Sequence, residues 1–470
     1  MVTALIIALI LIAWIVWISR SSSSLREMNA GARLYQEKRY AEAEAHFRQL
    51  LTKRLSPGIE ADTRRRLALT LEVLGKSEEA DQERERASMS AMKGAKDQTA
   101  LTAQGDLLKN ERRYDEACEL YQRALHLLPL GVSPRRAQIL AKVTIAHHQA
   151  GRSGEALRCA EASLQSRPDK TIRLLMERMA GVAASDQGDL EAAETHYIRA
   201  LDLAEVNGKP EDVAQALALL AYLKHKQGDY GEAIAAARRS REMASNPARI
   251  DIAVEAECLR DMGRFEEARV VMRRHFDGPY LSSPREERKM QALGSLGMAW
   301  IETRAEQPEA AWEYLETART GLKPLPSATT WPPAPGGDED KLMLWCDATA
   351  VNILSQKGNM ADAYRLMGSI ESRLPRFAND YATLRGVYGH LARASLRMDN
   401  FAECRSYCQR NLECRPPPSG LPALYHLLGE THLRLGETDT ARDFFRQAVA
   451  PGIDSLDARR AQARLNELGG

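Results

Sequence analysis

Small, apolar and acidic residues recur along this chain in a fixed order. A glycine is followed two residues later by an aromatic or large apolar residue, then by acidic residues and alanine, as in GDLEAA from Gly188 and GDYGEA from Gly228. Most steps between the roughly eleven copies are 35 to 43 residues long, and one is 52. This period predicts a repeated pair of helices. The repeated alanine, which is cysteine in one copy, falls at Ala43, Ala80, Ala117, Ala156, Ala193, Ala233, Ala268, Ala311, Ala363, Cys404 and Ala441.

Three further positions keep the same register as the repeated alanine. A small residue stands twelve positions before it, a large apolar residue four positions after it, and a small residue seven positions after it. Positions four and seven lie on one helical face, which we expect to pack against the preceding helix. The residues expected to carry this repeat packing are Gly105, Ala117, Tyr121, Gly181, Ala193, Tyr197, Ala233, Ala268, Ala363, Gly429, Ala441 and Phe445.

This pattern resembles the tetratricopeptide repeat (TPR) family, whose unit is a helix–turn–helix of about 34 residues. The resemblance implies an all-α fold, a TPR-like α-solenoid that forms a right-handed superhelix of about eleven repeats. One repeat cannot bury its own apolar stripe, so stacking of neighbouring repeats must supply the core. We expect repeats 1–8 over residues 25–320 and repeats 9–11 over residues 342–453.

The repeats are interrupted once, between residues 321 and 341. The segment reads GLKPLPSATTWPPAPGGDEDK, and its proline and glycine content predicts an exposed loop insertion. The loop is either a tolerated surface insertion or a docking element for a partner around Trp331. After the last repeat, residues 454–470 predict a C-terminal capping helix that covers the open end of the solenoid, with Ser455 as its N-cap.

The first residues of the chain form an uncharged apolar run. Residues 2–18 read VTALIIALILIAWIVWI, and at about 1.5 Å per residue this run comes close to the ~30 Å hydrocarbon core of a bilayer. We therefore predict a transmembrane anchor over residues 1–19 and a serine-rich tether over residues 20–24. A cleaved signal peptide is the alternative, but neither a basic leading region nor an A-x-A-like cleavage site is evident.

The charges that flank the apolar run predict its orientation. Arg20, Arg26 and Arg33 follow the run and no Lys or Arg precedes it, which places the C-terminal body in the cytoplasm by the positive-inside bias. We expect a single-pass protein of the bacterial inner membrane. This plan is similar to that of the lipopolysaccharide assembly protein B family, but that family's C-terminal metal module, with two Cys pairs, has no counterpart in the terminal ARLNELGG.

Composition narrows the classes of function. Among 470 residues, 65 Lys and Arg balance 64 Asp and Glu, for a formal net charge of +1. Without an excess of positive charge, binding to nucleic acid is not expected. The seven cysteines are odd in number and scattered, which indicates reduced thiols rather than a disulfide framework and agrees with a cytoplasmic body.

Motifs for catalysis are missing from the sequence. No Walker loop, dinucleotide fingerprint, metalloprotease helix or nucleophile elbow is present. Cys404 and Cys408 lie four residues apart and could face one metal ion, but in the repeat register they occupy the alanine position and the apolar packing position. A buried cysteine behaves as a small apolar residue, so structural thiols are the favoured interpretation. We predict a protein that is not an enzyme and has no cofactor, no metal and no small-molecule substrate.

The concave face of a TPR superhelix is lined by first-helix residues, so a binding site is expected among them. The carboxylate clamp of chaperone-binding TPR proteins needs Lys and Asn in one repeat and Asn in the next. Here Asn352 is accompanied by Ala348 in place of Lys and by His390 in place of the second Asn, so this clamp is not expected. The candidates for a partner-binding groove are Tyr222, His225, Trp300, Asn352, Arg393 and Glu430.

Together these features predict a membrane-anchored TPR scaffold. It would bind protein or peptide partners in its concave groove, recruit them to a membrane through residues 2–18, and bind no nucleic acid. The alternative is an envelope-assembly TPR factor on the periplasmic or secreted side, if the N-terminal run is a signal peptide or an inverted anchor.

Overall fold

A computed structural model describes much of the chain. The described residues are 24, 26–53, 55, 57–94, 98–128, 131–243, 249–274, 276, 284–322, 338–378 and 380–469. They form α-helices joined by short turns, with no β-strand among them. The all-α prediction is therefore confirmed for this part of the chain. The helices group into two compact units, Met1–Ala150 and Gly151–Gly470.

The first unit contains seven helices in its described part. Helices that follow one another in the chain pack together, as α3 does with α4 and α5 with α6. This is the helix–turn–helix arrangement that the repeat period predicts. The helices are α1 (26–36), α2 (Tyr40–Leu51), α3 (Pro57–Val73), α4 (Ser77–Gly94), α5 (Gln98–Asn110), α6 (Tyr114–His126) and α7 (Pro134–Gln149).

The second unit contains the other sixteen α-helices of the described chain and two short 3-10 helices, Leu374–Phe377 and Pro418–Gly420. Odd-numbered helices from α9 to α21 are the first helices of repeats, and even-numbered helices are the second. Their bounds are α8 (Ser153–Gln165), α9 (Lys170–Gln187), α10 (Leu190–Asn207), α11 (Pro210–Gln227), α12 (Tyr230–Met243), α13 (Arg249–Asp261), α14 (Phe265–Arg273), α15 (Pro284–Arg304), α16 (Pro308–Leu322), α17 (Asp338–Gln356), α18 (Met360–Arg373), α19 (Tyr381–Arg397), α20 (Phe401–Glu413), α21 (Leu421–Arg434), α22 (Thr438–Val449) and α23 (Leu456–Glu467).

The turn inside each repeat has one backbone conformation. The residue five positions before the repeated alanine has a positive φ in all eleven copies, between 55° and 92°. The next amide then donates to the carbonyl five residues back, as from Asp189 to Ala184 at 3.0 Å, which caps the end of the first helix. Glycine adopts this conformation without strain, which explains its recurrence. The turn residues are Lys38, Gly75, Arg112, Gly151, Gly188, Gly228, Gly263, Glu306, Gly358, Asp399 and Gly436.

The repeated alanine lies at the closest approach between the two helices. The residue at this position is 0% exposed in all eleven copies. Four copies also place a glycine of the first helix against an aromatic ring of the second. A Cβ built on Gly105 would lie 2.4 Å from the Tyr121 ring, and one on Gly181 would lie 2.4 Å from the Tyr197 ring. Such a buried ring stabilises the repeat by about 2–3 kcal/mol, and only glycine leaves room for it.

Both ends of the predicted loop insertion, residues 321–341, belong to the helices that flank it. Gly321 and Leu322 complete α16, and α17 begins at Asp338 rather than at residue 342. The polar DEDK sequence forms the first turn of α17, since acidic residues favour a helix N-terminus. Trp331 lies outside the described residues.

The predicted membrane anchor also lies outside the described residues, which begin at residue 24. Among the helices that are described, none combines the length and the apolar character needed to cross a bilayer.

The C-terminal segment folds back onto the second unit. Ser455 Oγ accepts the N–H of Ala458 at 3.1 Å and caps α23. Beyond covering the last repeat, the segment runs along three successive inter-helix turns. Ile453 packs on Gly228, Leu456 packs on Gly263, and Arg460 pairs with Glu306 at 3.4 Å. Residues near position 455 therefore contact repeats about 150 to 230 residues earlier in the chain.

Candidate functional site

The six groove candidates all lie on first helices of the second unit. Tyr222 and His225 are on α11, and the other four are on α15, α17, α19 and α21. Five of them stand eleven residues before the repeated alanine, and His225 stands eight before it. These positions face the interior of the unit, so most of the six side chains contact other parts of the chain.

Tyr222 and His225 form polar contacts inside α11 and with α13. The ammonium of Lys226 lies 4.7 Å from the centre of the Tyr222 ring. Burial, and then the charges of Glu257 and Asp186, raise the pKa of Tyr222 to about 12. His225 Nε2 lies 3.1 Å from Asp261 Oδ2. Both side chains are half-buried.

Trp300 and Asn352 meet at His390. Trp300 Nε1 donates to Thr349 Oγ1 at 2.9 Å, and its ring lies 6.4 Å from that of His390. Asn352 is 1% exposed, and its Nδ2 lies 3.3 Å from His390 Nδ1. Burial, followed by the charges of Arg393 and Arg260, lowers the pKa of His390 to about 3. The neutral ring can therefore accept a hydrogen bond from Asn352.

Glu430 has an ion-pair partner among the described residues, whereas Arg393 does not. Glu430 accepts from Arg464 of α23 at 2.6 Å, so the C-terminal helix occupies this candidate. Arg393 donates to Gly389 O at 3.2 Å within its own helix. No carboxylate in the described part of the chain lies within ion-pair distance of it. Of the six candidates, Arg393 is the charged residue with donors left for a ligand.

A partly open cavity of about 300 Å³ lies beside Arg393, lined mainly by first helices. A neighbouring cleft of about 400 Å³ lies between α19, α21 and α23. Arg304, Arg393 and Asp457 line both spaces. Trp300, Asn352 and His390 form part of the cavity wall, and Glu430 lines the cleft, so the structure brings four of the six candidates to one connected site.

Arginines outnumber carboxylates in the lining of the cavity. Arg260, Arg304, Arg385 and Arg393 line the cavity, against Glu257, Asp261 and Asp457. Two of the three carboxylates already hold arginines, since Asp261 pairs with Arg260 and Asp457 pairs with Arg304.

Three half-buried arginines of α19 have pKa values below their usual range. Burial, followed by the repulsion of Arg304, lowers the pKa of Arg393 to about 10. Burial likewise lowers the pKa of Arg385 and of Arg397. The site is therefore suited to a negatively charged group.

Sequence reasoning missed the importance of Arg385 and Arg397. Together with Arg393 they occupy one face of α19, because they are spaced by eight and four residues. A signal was available, since α19 contains three arginines and no acidic residue over Tyr381–Arg397. The sequence predicted the capping helix that contains Asp457 but gave no role to this residue.

Cys404 and Cys408 lie in the core between α20 and α21. Both are 0% exposed, and Cys404 Sγ accepts from Thr431 Oγ1 at 3.2 Å. Over the described ranges no three His, Cys, Asp or Glu side chains come together as metal ligands. This packing agrees with the interpretation of these cysteines as small apolar residues.

The repeated helical hairpins define the class of the protein, which is that of the α-helical repeat proteins. Models of the tetratricopeptide repeat match residues 100–133, 171–246 and 422–447. These three segments are tetratricopeptide repeats, and with the helical hairpins around them they support a protein of the tetratricopeptide repeat family.

Solved structures agree with this fold. A Rap protein complexed with competence and sporulation factor is 11% identical, with a TM-score of 0.51, covering 79% of this chain and 99% of its own. A tetratricopeptide repeat protein from Parabacteroides merdae ATCC 43184 is 15% identical, with a TM-score of 0.39, covering 64% of this chain and 99% of its own. The first similarity shows a shared fold. No curated protein sequence matches the chain.

Proposed function

We propose that this protein is a non-catalytic scaffold that binds protein or peptide partners on the first-helix faces of its repeats and holds them at a membrane. The observation that carries the proposal is the stack of repeats, in which the alanine and turn positions keep one geometry in all eleven copies. Such stacks present adjacent first helices as an extended binding surface. The Rap protein of similar fold was solved with competence and sporulation factor, which supports ligand binding as a property of this architecture.

The first unit offers the more open partner surface. Leu69 stands eleven residues before Ala80, the position that Trp300 and Arg393 occupy in later repeats. Its side chain is 49% exposed, and Val73 one turn later is 43% exposed. In the second unit the equivalent Glu430 and Asn352 are already engaged by Arg464 and Arg397. We therefore assign the principal partner contact to the face of α3 that carries Leu69 and Val73.

Recruitment to a membrane rests on the sequence of residues 2–18. The uncharged run and the arginines that follow it support a single-pass anchor with a cytoplasmic body, in a bacterial inner membrane. A body on the far side of the membrane is the competing arrangement, and it would make the protein an envelope-assembly factor.

Partner binding is tested by crosslinking in cells that express the full chain. Leu69→Asp should remove partners that wild type captures, because it places a charge on the proposed contact face. Val206→Asp is the matched control, since Val206 is 78% exposed on the second helix α10. Equal capture by wild type, Leu69→Asp and Val206→Asp would show that this face is not the binding surface.

The anchor is tested separately by fractionation and reporter fusions. Removal of residues 2–18 should move the protein from the membrane fraction to the soluble fraction. A reporter enzyme that works only in the cytoplasm should be active when it is fused after Gly470. Activity of a C-terminal reporter only outside the cytoplasm would overturn the proposed orientation and favour the envelope-assembly role.

A further inference from the structure

Three arginines of α19 face the interior of the second unit, and no described carboxylate lies within ion-pair distance of them. Arg385 lines the cavity of about 300 Å³, Arg397 lines the adjoining cleft of about 400 Å³, and Arg393 lines both. Their hydrogen bonds go to neutral acceptors. Arg385 donates to Cys414 O at 2.9 Å, and Arg397 donates to Asn352 Oδ1 at 2.5 Å. No ion pair of the described residues includes any of the three.

The carboxylates near these arginines are committed elsewhere. In the cleft, Asp457 holds Arg304 at 2.7 Å, and Glu430 and Glu467 both hold Arg464. Arg460 enters from α23 and pairs at 3.4 Å with Glu306. The cleft is therefore lined by five arginines and three carboxylates. Among the described residues, no carboxylate lies within ion-pair distance of Arg393 or Arg397.

An uncompensated guanidinium away from bulk water is costly, and arginine does not escape this cost by losing its proton. The arginines also repel neighbouring positive charge: after burial, Arg304 lowers the pKa of Arg393, and Arg393 lowers the pKa of His390. An oxyanion would offset this cost, since the planar guanidinium pairs with carboxylate or phosphate oxygens through two parallel hydrogen bonds.

We propose that the space around Arg393 binds a compact oxyanion with two or more negative charges, of the pyrophosphate or tricarboxylate type. Arg393 and Arg397 of α19 hold it from one side, and Arg460 of α23 approaches from the other. The cavity of about 300 Å³ and the cleft of about 400 Å³ have the volume of a small-molecule site. Because the anion lies between α19 and α23, its binding tightens the contact of the C-terminal helix with the rest of the unit.

The proposal is tested by calorimetric titration of the purified full chain, at low ionic strength, with phosphate, pyrophosphate and citrate. Pyrophosphate or citrate should bind at least about tenfold more tightly than phosphate, because each can contact two arginines. The tighter of the two identifies the oxyanion as phosphate-like or carboxylate-like. Absence of binding by both at millimolar concentration would overturn the proposal.

Variants assign the binding to this site. Arg393→Gln should weaken binding about tenfold or more, and Arg393→Lys, which keeps the charge but not the planar fork, should fall between Gln and wild type. Arg405→Gln is the control, because Arg405 is exposed on α20. Circular dichroism verifies that each variant is folded. Equal affinities for wild type and Arg393→Gln would overturn the assignment.

Hydrogen exchange of α23 in the wild-type protein is a second measurement, and it needs no variant. Pyrophosphate or citrate should slow amide exchange in residues 456–467 and leave α10 unchanged. Binding with no change in the exchange of α23 would contradict the placement of the anion against Arg460.

Discussion

Asp457 at the start of α23 accepts a hydrogen bond from Arg304 of α15, with Oδ2 and Nη2 2.7 Å apart across 153 residues of sequence. The two side chains are 11% and 14% exposed. Burial acts to raise the pKa of Asp457, but the charges of Arg304 and Arg393 outweigh it and hold this pKa below its usual value. The ion pair therefore fixes the C-terminal helix to the interior of the second unit.

Asp457→Asn should loosen that helix. Loss of the charge weakens the bond to Arg304, and we expect the free energy of local opening of α23 to fall by about 1–3 kcal/mol. Hydrogen exchange of residues 456–467 measures this change. Asp439→Asn is the control, because Asp439 is 98% exposed in a surface pair with Arg442. An unchanged exchange rate in Asp457→Asn would mean that the pair does not hold the helix.

Gly181→Ala should disrupt the repeat formed by α9 and α10. A Cβ at this position would lie 2.4 Å from the Tyr197 ring, so we expect a loss of about 1–3 kcal/mol or more in unfolding free energy. Gly368→Ala is the matched control, since no atom lies within 4 Å of its Cβ in the exposed middle of α18. It should stabilise by about 0.5–1 kcal/mol. Urea unfolding distinguishes the two, and a loss of similar size in both variants would refute the close approach at Gly181.

Two turn positions in the first unit should respond in opposite directions. Arg112 has φ 63°, and Gly75 has φ 76° with open space around it. Arg112→Gly should stabilise the first unit by about 0.5–1 kcal/mol, because it relieves a left-handed conformation that costs a side chain about 1–2 kcal/mol. Gly75→Ala should destabilise it by about 1 kcal/mol. Thermal unfolding of both variants against wild type is the measurement, and a shift of the same sign in both would contradict the shared turn geometry.

Asp251 should make part of the second unit less stable as the pH rises. Asp251 is 0% exposed, and burial raises the pKa of its carboxyl well above the usual value, to about 6. The folded state therefore holds this proton more tightly than the unfolded state. The resulting stability is complete below about pH 4 and is lost as the pH rises through about 6.

Asp251→Asn should remove this pH dependence. Unfolding by urea between pH 4 and pH 7 measures it, with the exposed Asp202→Asn on α10 as the control. A difference between wild type and Asp251→Asn that stays constant over this range would contradict the assignment.

One cysteine should react in the native protein. Six of the seven thiols are buried, and Cys159 on α8 is half-buried. A maleimide should label Cys159 alone under native conditions, slowly because burial raises its pKa, and all seven in urea. Cys159→Ser should show no native labelling, and fast labelling of Cys404 or Cys408 would contradict their place in the core.

The helical hairpins could be read from the sequence because their determinants are local. The glycine turn, the buried alanine and the pairing of Gly181 with Tyr197 all lie within about 20 residues of one another. The same applies to the N-cap at Ser455. The C-terminal end of the predicted loop, residues 321–341, was wrong because its acidic residues favour a helix N-terminus at Asp338. The prediction gave more weight to the prolines of the segment than to these acidic residues.

The functional site required contacts between distant repeats. Tyr222, His225, Trp300, Asn352, Arg393 and Glu430 were chosen from their register, and their role in partner binding stays a prediction. The sequence did not indicate that Glu430 pairs with Arg464. Nor did it indicate that no carboxylate of the described residues lies within ion-pair distance of Arg393. Each of these facts depends on which acidic residues of other repeats reach the same space.

The sequence by itself determined the repeat, because the small and large residues that form each hairpin follow a fixed spacing along the chain. It also determined the uncharged run at residues 2–18. The tertiary structure decided that residues 453–460 return to the turns at Gly228, Gly263 and Glu306. The physical reason is that small rotations between successive repeats add up over the second unit, and no single spacing encodes their sum. That return encloses the arginines of α19 and makes a cavity of a face that the sequence alone predicts as an open groove.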